Sequence, residues 1–151
     1  MKVSFDFDNT LTVMRFNPDE GIFCDFHGPN LVMIQCMHAH VENGNEVHVI
    51  TSRNETAESK TEILRLLTSH GLAFKVSGIH HTNGQPKADL IKSMGVSRHY
   101  DDDPDEISVL PDDCDGILVK NGCVDAEGRR CGRGTNRWRG KATDVPWMKP
   151  F

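Results

Sequence analysis

Apolar and polar residues alternate at the start of the chain. Val3, Phe5 and Phe7 fall on one side of residues 2–7, the spacing of a strand. Residues 13–28 contain proline, glycine and aspartate and predict a loop or small hairpin. Gly28-Pro29 then opens a helical stretch with Leu31, Ile34, His38 and Val41 on one stripe, stopped by Asn43-Gly44. Glu46–Thr51, with Val47, Val49 and Ile50, predicts a second strand. Residues 55–70 place Ile63, Leu66, Leu67 and His70 at helical spacing and close on Gly71. A third strand is expected over 73–79. A short helix follows over 86–94, with Pro86 suited to its first position and Gly95 past its end. Arg98–Asp101 predicts a fourth strand, residues 105–110 a short helix and 116–119 a fifth strand. Strand and helix alternate, which predicts an α/β fold: a mainly parallel sheet with helices on both faces. Such sheets bind ligands beyond the carboxyl ends of their strands.

With 151 residues, 37% of them apolar, the chain has material for one core, with or without a tail. The longest clean apolar run, 31–34, is far too short for a transmembrane helix, so no membrane partner is expected. Asp6 lies where a signal peptide needs its apolar stretch, which makes a cytoplasmic location the default expectation. The five cysteines are odd in number and form no Cys-x-x-Cys pair, so a disulfide framework is not expected. Cys24 with His27, and Cys36 with His38 and His40, match no standard zinc spacing.

A net charge of -5 argues against binding nucleic acid by charge alone. That charge is uneven. Residues 1–121 carry 10 basic and 19 acidic side chains, a net of -9, whereas residues 122–151 carry 7 and 3, a net of +4. The second segment mixes Arg129, Arg130, Arg133, Arg137, Arg139 and Lys141 with glycines and shows no apolar periodicity. It reads as a basic Gly/Arg-rich tail behind a body at 1–121, with Trp138, Trp147 and Phe151 as local anchors. A sharper reading makes it an electrostatic arm for a polyanion such as nucleic acid.

The strongest local signal is Phe5-Asp6-Phe7-Asp8-Asn9-Thr10-Leu11-Thr12. If the strand runs through it, Asp6 and Asp8 point to the same side. Two such carboxylates repel by ~4 kcal/mol at 4 Å and an effective dielectric of 20, a cost that a divalent cation would remove. An EF-hand loop starting at Asp6 is excluded, because Leu11 and Asn17 stand where it needs Gly and Glu. Three weaker signals follow. Thr51, Ser52 and Arg53 end an apolar strand, Lys87 opens a helix whose dipole disfavours a cation, and Asp101-Asp102-Asp103-Pro104-Asp105 follows a strand.

In that order, over residues 2–119, these motifs resemble the haloacid dehalogenase (HAD) superfamily of phosphotransferases. The resemblance implies a Rossmann-like fold and Mg²⁺-dependent phosphoryl transfer through an aspartyl-phosphate. It casts Asp6 as nucleophile, and Asp8 as general acid/base that also gives the metal its backbone carbonyl. Thr51 would hydrogen-bond a phosphoryl oxygen, and Lys87 would neutralise the phosphate and Asp6. Asp101 and Asp102 would anchor magnesium, the neighbouring Asp103 and Asp105 leaving the register open by one residue. Asn9, Ser52 and Arg53 are the expected substrate contacts. The chemistry also follows from the residues. A free aspartate has a pKa of ~3.9, so Asp6 is expected to be ionised and nucleophilic at neutral pH. Asp8 must hold a proton near neutrality, which crowding by carboxylates would promote.

In this superfamily an inserted cap often selects the substrate. Here the only insert between the first two motifs, 13–28, is short, and none of size separates Thr51 from Lys87. An open site is therefore expected, able to admit a bulky or macromolecular phosphate, with Arg53 placed to reach a second phosphate. In this respect the chain is similar to the 3′-phosphatase domains of polynucleotide kinases and to small nucleotide phosphatases. The partner expected is a phosphorylated small molecule or a nucleic-acid end. Two other readings stand beside it. A receiver-type domain also groups Asp, Thr and Lys around Mg²⁺, but its acidic pair comes first in the chain and here it comes last. A non-catalytic binding module would keep the fold and use the tail.

Overall fold

The structure, a computed structural model, describes residues 1–17 and 22–119. The basic tail at 122–151 and the tip of the first insert lie outside the described residues.

The chain is α/β, with a five-stranded parallel sheet flanked by helices. In chain order the elements are β1 (Lys2–Phe5), an antiparallel hairpin of β2 (Thr12–Asn17) and β3 (Ile22–Pro29), α1 (Leu31–Glu42), β4 (Glu46–Thr51), α2 (Ala57–Ser69), β5 (Gly78–His81), α3 (Ala88–Met94), β6 (Arg98–Asp101), α4 (Pro104–Ser108) and β7 (Asp115–Leu118). The strand order is β5-β4-β1-β6-β7. The chain thus builds outward from β1 in one direction, then returns to its other side. The carboxyl end of β1 is where such a sheet opens a crevice for ligands.

Side-chain alternation divides the core between the two faces. Val47 and Val49 of β4 pack in one cluster with Met33, Met37, Ile63 and Leu67 of α1 and α2. Ile50 and Leu118 point the other way, into a cluster with Ile91 of α3 and Ile107 of α4. Helices therefore cover both faces, as the alternation predicts. Among the described residues, no helix is long and apolar enough to cross a membrane.

Several boundaries differ from the sequence reading. The first strand stops at Phe5, because Phe7–Leu11 form a wide helical turn in which Asn9 takes a left-handed φ of 60°. Asparagine tolerates that conformation, and a strand cannot continue through it. The buried stripe of α1 is Met33, Ile34, Met37 and His40, rotated from the expected one, and Leu31 is exposed. The third strand begins five residues late. Residues 73–76 turn instead, with the amides of Lys75 and Val76 both bonded to Leu72 O and Phe74 fully exposed. The ladder starts at Gly78, where a Cβ would lie 2.9 Å from His80 Nε2. Helix α3 starts after Lys87 rather than at Pro86, since a turn over 82–85 holds the proline outside it. Gly95 ends that helix in the left-handed conformation, as expected. The insert is a hairpin, anchored at its base by Asn30, whose Nδ2 donates to Thr10 O at 3.0 Å.

Candidate active site

Asp6 follows β1 directly, in extended backbone, and its amide still bonds to Tyr100 O of β6 at 2.9 Å. Asp101 ends β6. Lys87 stands at the N-cap of α3, and its Nζ donates to Asp6 Oδ1 at 2.7 Å and to Asp101 Oδ2 at 2.6 Å. All three side chains are buried. The Thr10 hydroxyl lies 3.1 Å from Asp6 Oδ2 and 3.4 Å from Asp102 Oδ1, which brings the fourth group in. Asp6, Asp101 and Asp102 each offer an oxygen within 4.8 Å of the others. Groups up to 96 positions apart in the sequence thus meet at the carboxyl ends of the neighbouring strands β1 and β6.

Three carboxyls share one ammonium. Burial pushes the Asp6 carboxyl up to about 7, with Lys87 pulling against it and Asp101 adding to it. The free-aspartate value of the sequence reading belongs to a group in water, and burial sets Asp6 apart from it. Asp102 is also raised well above the usual range, by burial and then by Asp6 and Asp101. Burial would raise Asp101 too, yet Lys87 and His99 hold it well below the usual carboxylate range. Burial disfavours the Lys87 charge, but Asp6 and Asp101 outweigh it and keep the ammonium protonated. The surplus negative charge and the all-oxygen donor set fit a hard divalent cation.

Two residues in this network were not singled out from the sequence. His99 is fully buried, and burial lowers its pKa, so the ring is neutral. Its Nε2–H donates to Asp101 Oδ2 at 3.0 Å, and its Nδ1 accepts from Ser4 Oγ at 2.7 Å. Alternation on β6 carries the signal, because His99 and Asp101 share a face. Glu106 of α4 accepts from the Lys87 amide at 3.1 Å and steadies the start of α3.

Asp8 takes a different neighbour from the one expected. Both of its oxygens accept from Arg53, at 2.7 Å each, and it is not a member of the carboxylate triad. A guanidinium, not a crowd of carboxylates, lies against it, and the same-side argument for Asp6 and Asp8 fails because the strand ends before both. Thr51 is buried at the end of β4, beside β1, with its Oγ1 accepting from the Arg53 amide at 3.3 Å. Ser52 is exposed beyond it, its carbonyl bonded to the Gly84 amide. Asn9 is buried and shapes the turn, its amide donating to Thr12 Oγ1 at 3.1 Å. Of the acidic run, Asp101 and Asp102 are the two whose oxygens lie near Asp6. Asp103 caps α4 by accepting from the Asp105 amide at 2.9 Å, so Asp103 and Asp105 serve the helix start.

A groove of about 810 Å³ adjoins this region, lined by Phe7, Pro29, Thr61, Glu62, Arg65 and Leu66 among others. It shares Phe7 and Glu62 with the surroundings of Arg53, whereas the triad does not line it. No protein-family model and no curated protein matches the chain.

Proposed function

We propose that the chain is a Mg²⁺-dependent phosphomonoester hydrolase of the haloacid dehalogenase type, acting through an aspartyl-phosphate on Asp6. The observation that carries this reading is Lys87 bridging Asp6 and Asp101 beside Asp102, at the carboxyl ends of β1 and β6. Asp6 attacks phosphorus, and the bond to the leaving oxygen breaks. Once a proton takes the place of one of its Arg53 contacts, Asp8 protonates that oxygen, then takes a proton from the water that cleaves the aspartyl-phosphate. Lys87 balances the charge on Asp6 and on the phosphoryl group, and Thr51 donates to a phosphoryl oxygen. Asp6, Asp101, Asp102 and the backbone carbonyl of Asp8 are the groups for Mg²⁺, which supplies charge neutralisation and orientation of the phosphoryl group when bound. The substrate class is a nucleotide or nucleic-acid terminal phosphate. The small insert supports it: among the described residues the insert is a two-stranded hairpin and no larger cap.

The test is release of p-nitrophenol from p-nitrophenyl phosphate with Mg²⁺ and its loss with chelator, together with a hydroxylamine-sensitive phosphate label on Asp6. Turnover that is indifferent to chelator, or that leaves no label under trapping conditions, would overturn the reading.

Cation binding should also be linked to pH. Asp6 is raised to about 7, so below that pH the free site holds a proton that the cation has to displace. Mg²⁺ affinity is therefore expected to fall as pH drops from 7 to 5, by up to about tenfold per unit for each proton displaced. Calorimetric titration in two buffers of different ionisation heat reads the proton release directly. An affinity that is flat across this range contradicts the assignment.

A further inference from the structure

Arg53 is held by two carboxylates at once. Its Nε and Nη2 donate to Asp8 Oδ2 and Oδ1, each at 2.7 Å. On its other edge Nη1 donates to Glu62 Oε2 at 2.7 Å, and Nη2 also reaches Glu62 Oε1 at 3.4 Å. The guanidinium carbon lies 5.0 Å from the centre of the Phe7 ring. One positive charge faces two negative ones, so the cluster repels phosphate as it stands. The two partners differ in kind. Asp8 belongs to the turn that follows Asp6, whereas Glu62 projects from α2 and is half-exposed.

A guanidinium edge that grips a carboxylate in this way also fits a phosphate, because both present two oxygens to parallel N–H donors. We propose that Arg53 is a second anion subsite, that Glu62 fills it in the resting chain, and that a second anionic group on the substrate displaces Glu62. The ligand class is a phosphate or phosphodiester borne on the same molecule as the phosphate to be cleaved. This inference rests on the hydrolase reading above and names the feature its substrate must carry.

The atoms allow the exchange without disturbing Asp8. Nη2 is shared between Asp8 Oδ1 and Glu62 Oε1. An incoming anion takes Nη1 and the second Nη2 hydrogen, the pair Glu62 holds, and leaves the Nε and first Nη2 donors on Asp8. Both Asp8 oxygens keep their donors, so Asp8 stays in place. Glu62 returns to solvent at little cost, as a half-exposed ion pair is weak. A substrate without the second anion leaves the clasp shut.

The test compares a nucleoside 3′,5′-bisphosphate with p-nitrophenyl phosphate in the wild-type chain and in Arg53→Gln and Glu62→Gln. The wild type should favour the bisphosphate in kcat/KM by about tenfold or more, the range of one charge-assisted anion contact. Arg53→Gln should abolish the preference. Glu62→Gln should lower KM for the bisphosphate about three- to fivefold, and lower that of the aryl ester less. Binding of methylenebisphosphonate, read by calorimetry without turnover, should tighten by a similar factor in Glu62→Gln. Equal losses on both substrates in Arg53→Gln, or unchanged bisphosphonate binding in Glu62→Gln, would overturn the subsite. Hydrolysis of both esters without preference defeats the subsite and spares the hydrolase reading. A chain that cleaves neither ester defeats that reading, and the bisphosphonate titration still decides the subsite.

Discussion

Replacing Lys87 with methionine should lower stability by about 3–5 kcal/mol at pH 7, the range found when one partner of a buried ion pair is removed. Methionine nearly matches the lysine stem in length, so little cavity forms and the loss is electrostatic. The Lys87 side chain is 3% exposed, and water cannot replace it between Asp6 and Asp101. The donors left to Asp101 are the neutral His99 ring and the Asp103 amide, neither of which carries the lost charge. The pH dependence has a definite sign. Lys87 and His99 hold Asp101 below its unfolded value, so in the wild type this group adds stability above the ordinary carboxylate pKa and loses it only in strong acid. Asp6 works the other way. Its folded pKa is raised from 3.8 to about 7, so its contribution is fully present below 3.8 and is lost as pH rises through 7. Without Lys87 both carboxyls rise, and the deficit of the variant is expected to shrink between pH 7 and pH 5 as protons replace the ammonium. Urea unfolding at the two pH values measures this. An unchanged midpoint at pH 7 would show that Lys87 is not the compensating charge. Lys87→Met combined with Asp101→Asn should recover part of the loss, since one uncompensated carboxylate goes with it.

The sheet and its order of elements were legible because burial writes itself into alternation. Val47, Val49 and Ile50 divide between the two cores on either face of the sheet. The N-caps went unread in the sequence. Asn30 and Thr56 accept from the amides of Met33 and Ser59, and Asp103 does the same for α4. The errors arose where local conformation outweighs pattern. Ala73, Phe74 and Val76 look like strand residues, yet the chain leaving α2 must turn before it can pair with β4, and the turn consumes them. Asp8 was misread for a related reason. Its spacing from Asp6 is that of a strand, but the strand ends at Phe5, and in the turn that follows Asp8 meets Arg53. At the site, the acidic register was undecidable from three consecutive aspartates. It resolves only when Asp101 meets Lys87 and Asp103 turns to cap a helix. His99 was hidden by its ordinariness, since a histidine inside a strand carries no signal until its partner on the same face is recognised as charged and buried.

Replacing Asp6 with asparagine should reduce turnover by at least about 10³-fold while leaving the fold intact, because the amide oxygen keeps the shape of the carboxylate and loses its nucleophilicity. Asparagine Oδ1 can still accept from Lys87, and Lys87 keeps Asp101 as its counter-charge. Stability should not fall as it does without Lys87. Burial already opposes the ionised form of Asp6, so a neutral side chain removes a cost that grows as pH rises through 7. The same substitution takes one carboxylate from the triad, and weaker Mg²⁺ binding is expected beside the loss of rate. The two effects separate by titration. If Asp6 only helped to hold the cation, raising Mg²⁺ about a hundredfold would restore most of the activity, since occupancy is recovered by mass action. If Asp6 forms the covalent intermediate, saturating Mg²⁺ leaves the rate where it was, and the hydroxylamine-sensitive label stays absent. Asp102→Asn serves as the contrast. It removes a triad oxygen without touching the attacking group, so its activity should return with added Mg²⁺ while that of Asp6→Asn does not. Recovery of both variants at high Mg²⁺ would assign Asp6 to the metal alone and leave the reaction without its nucleophile.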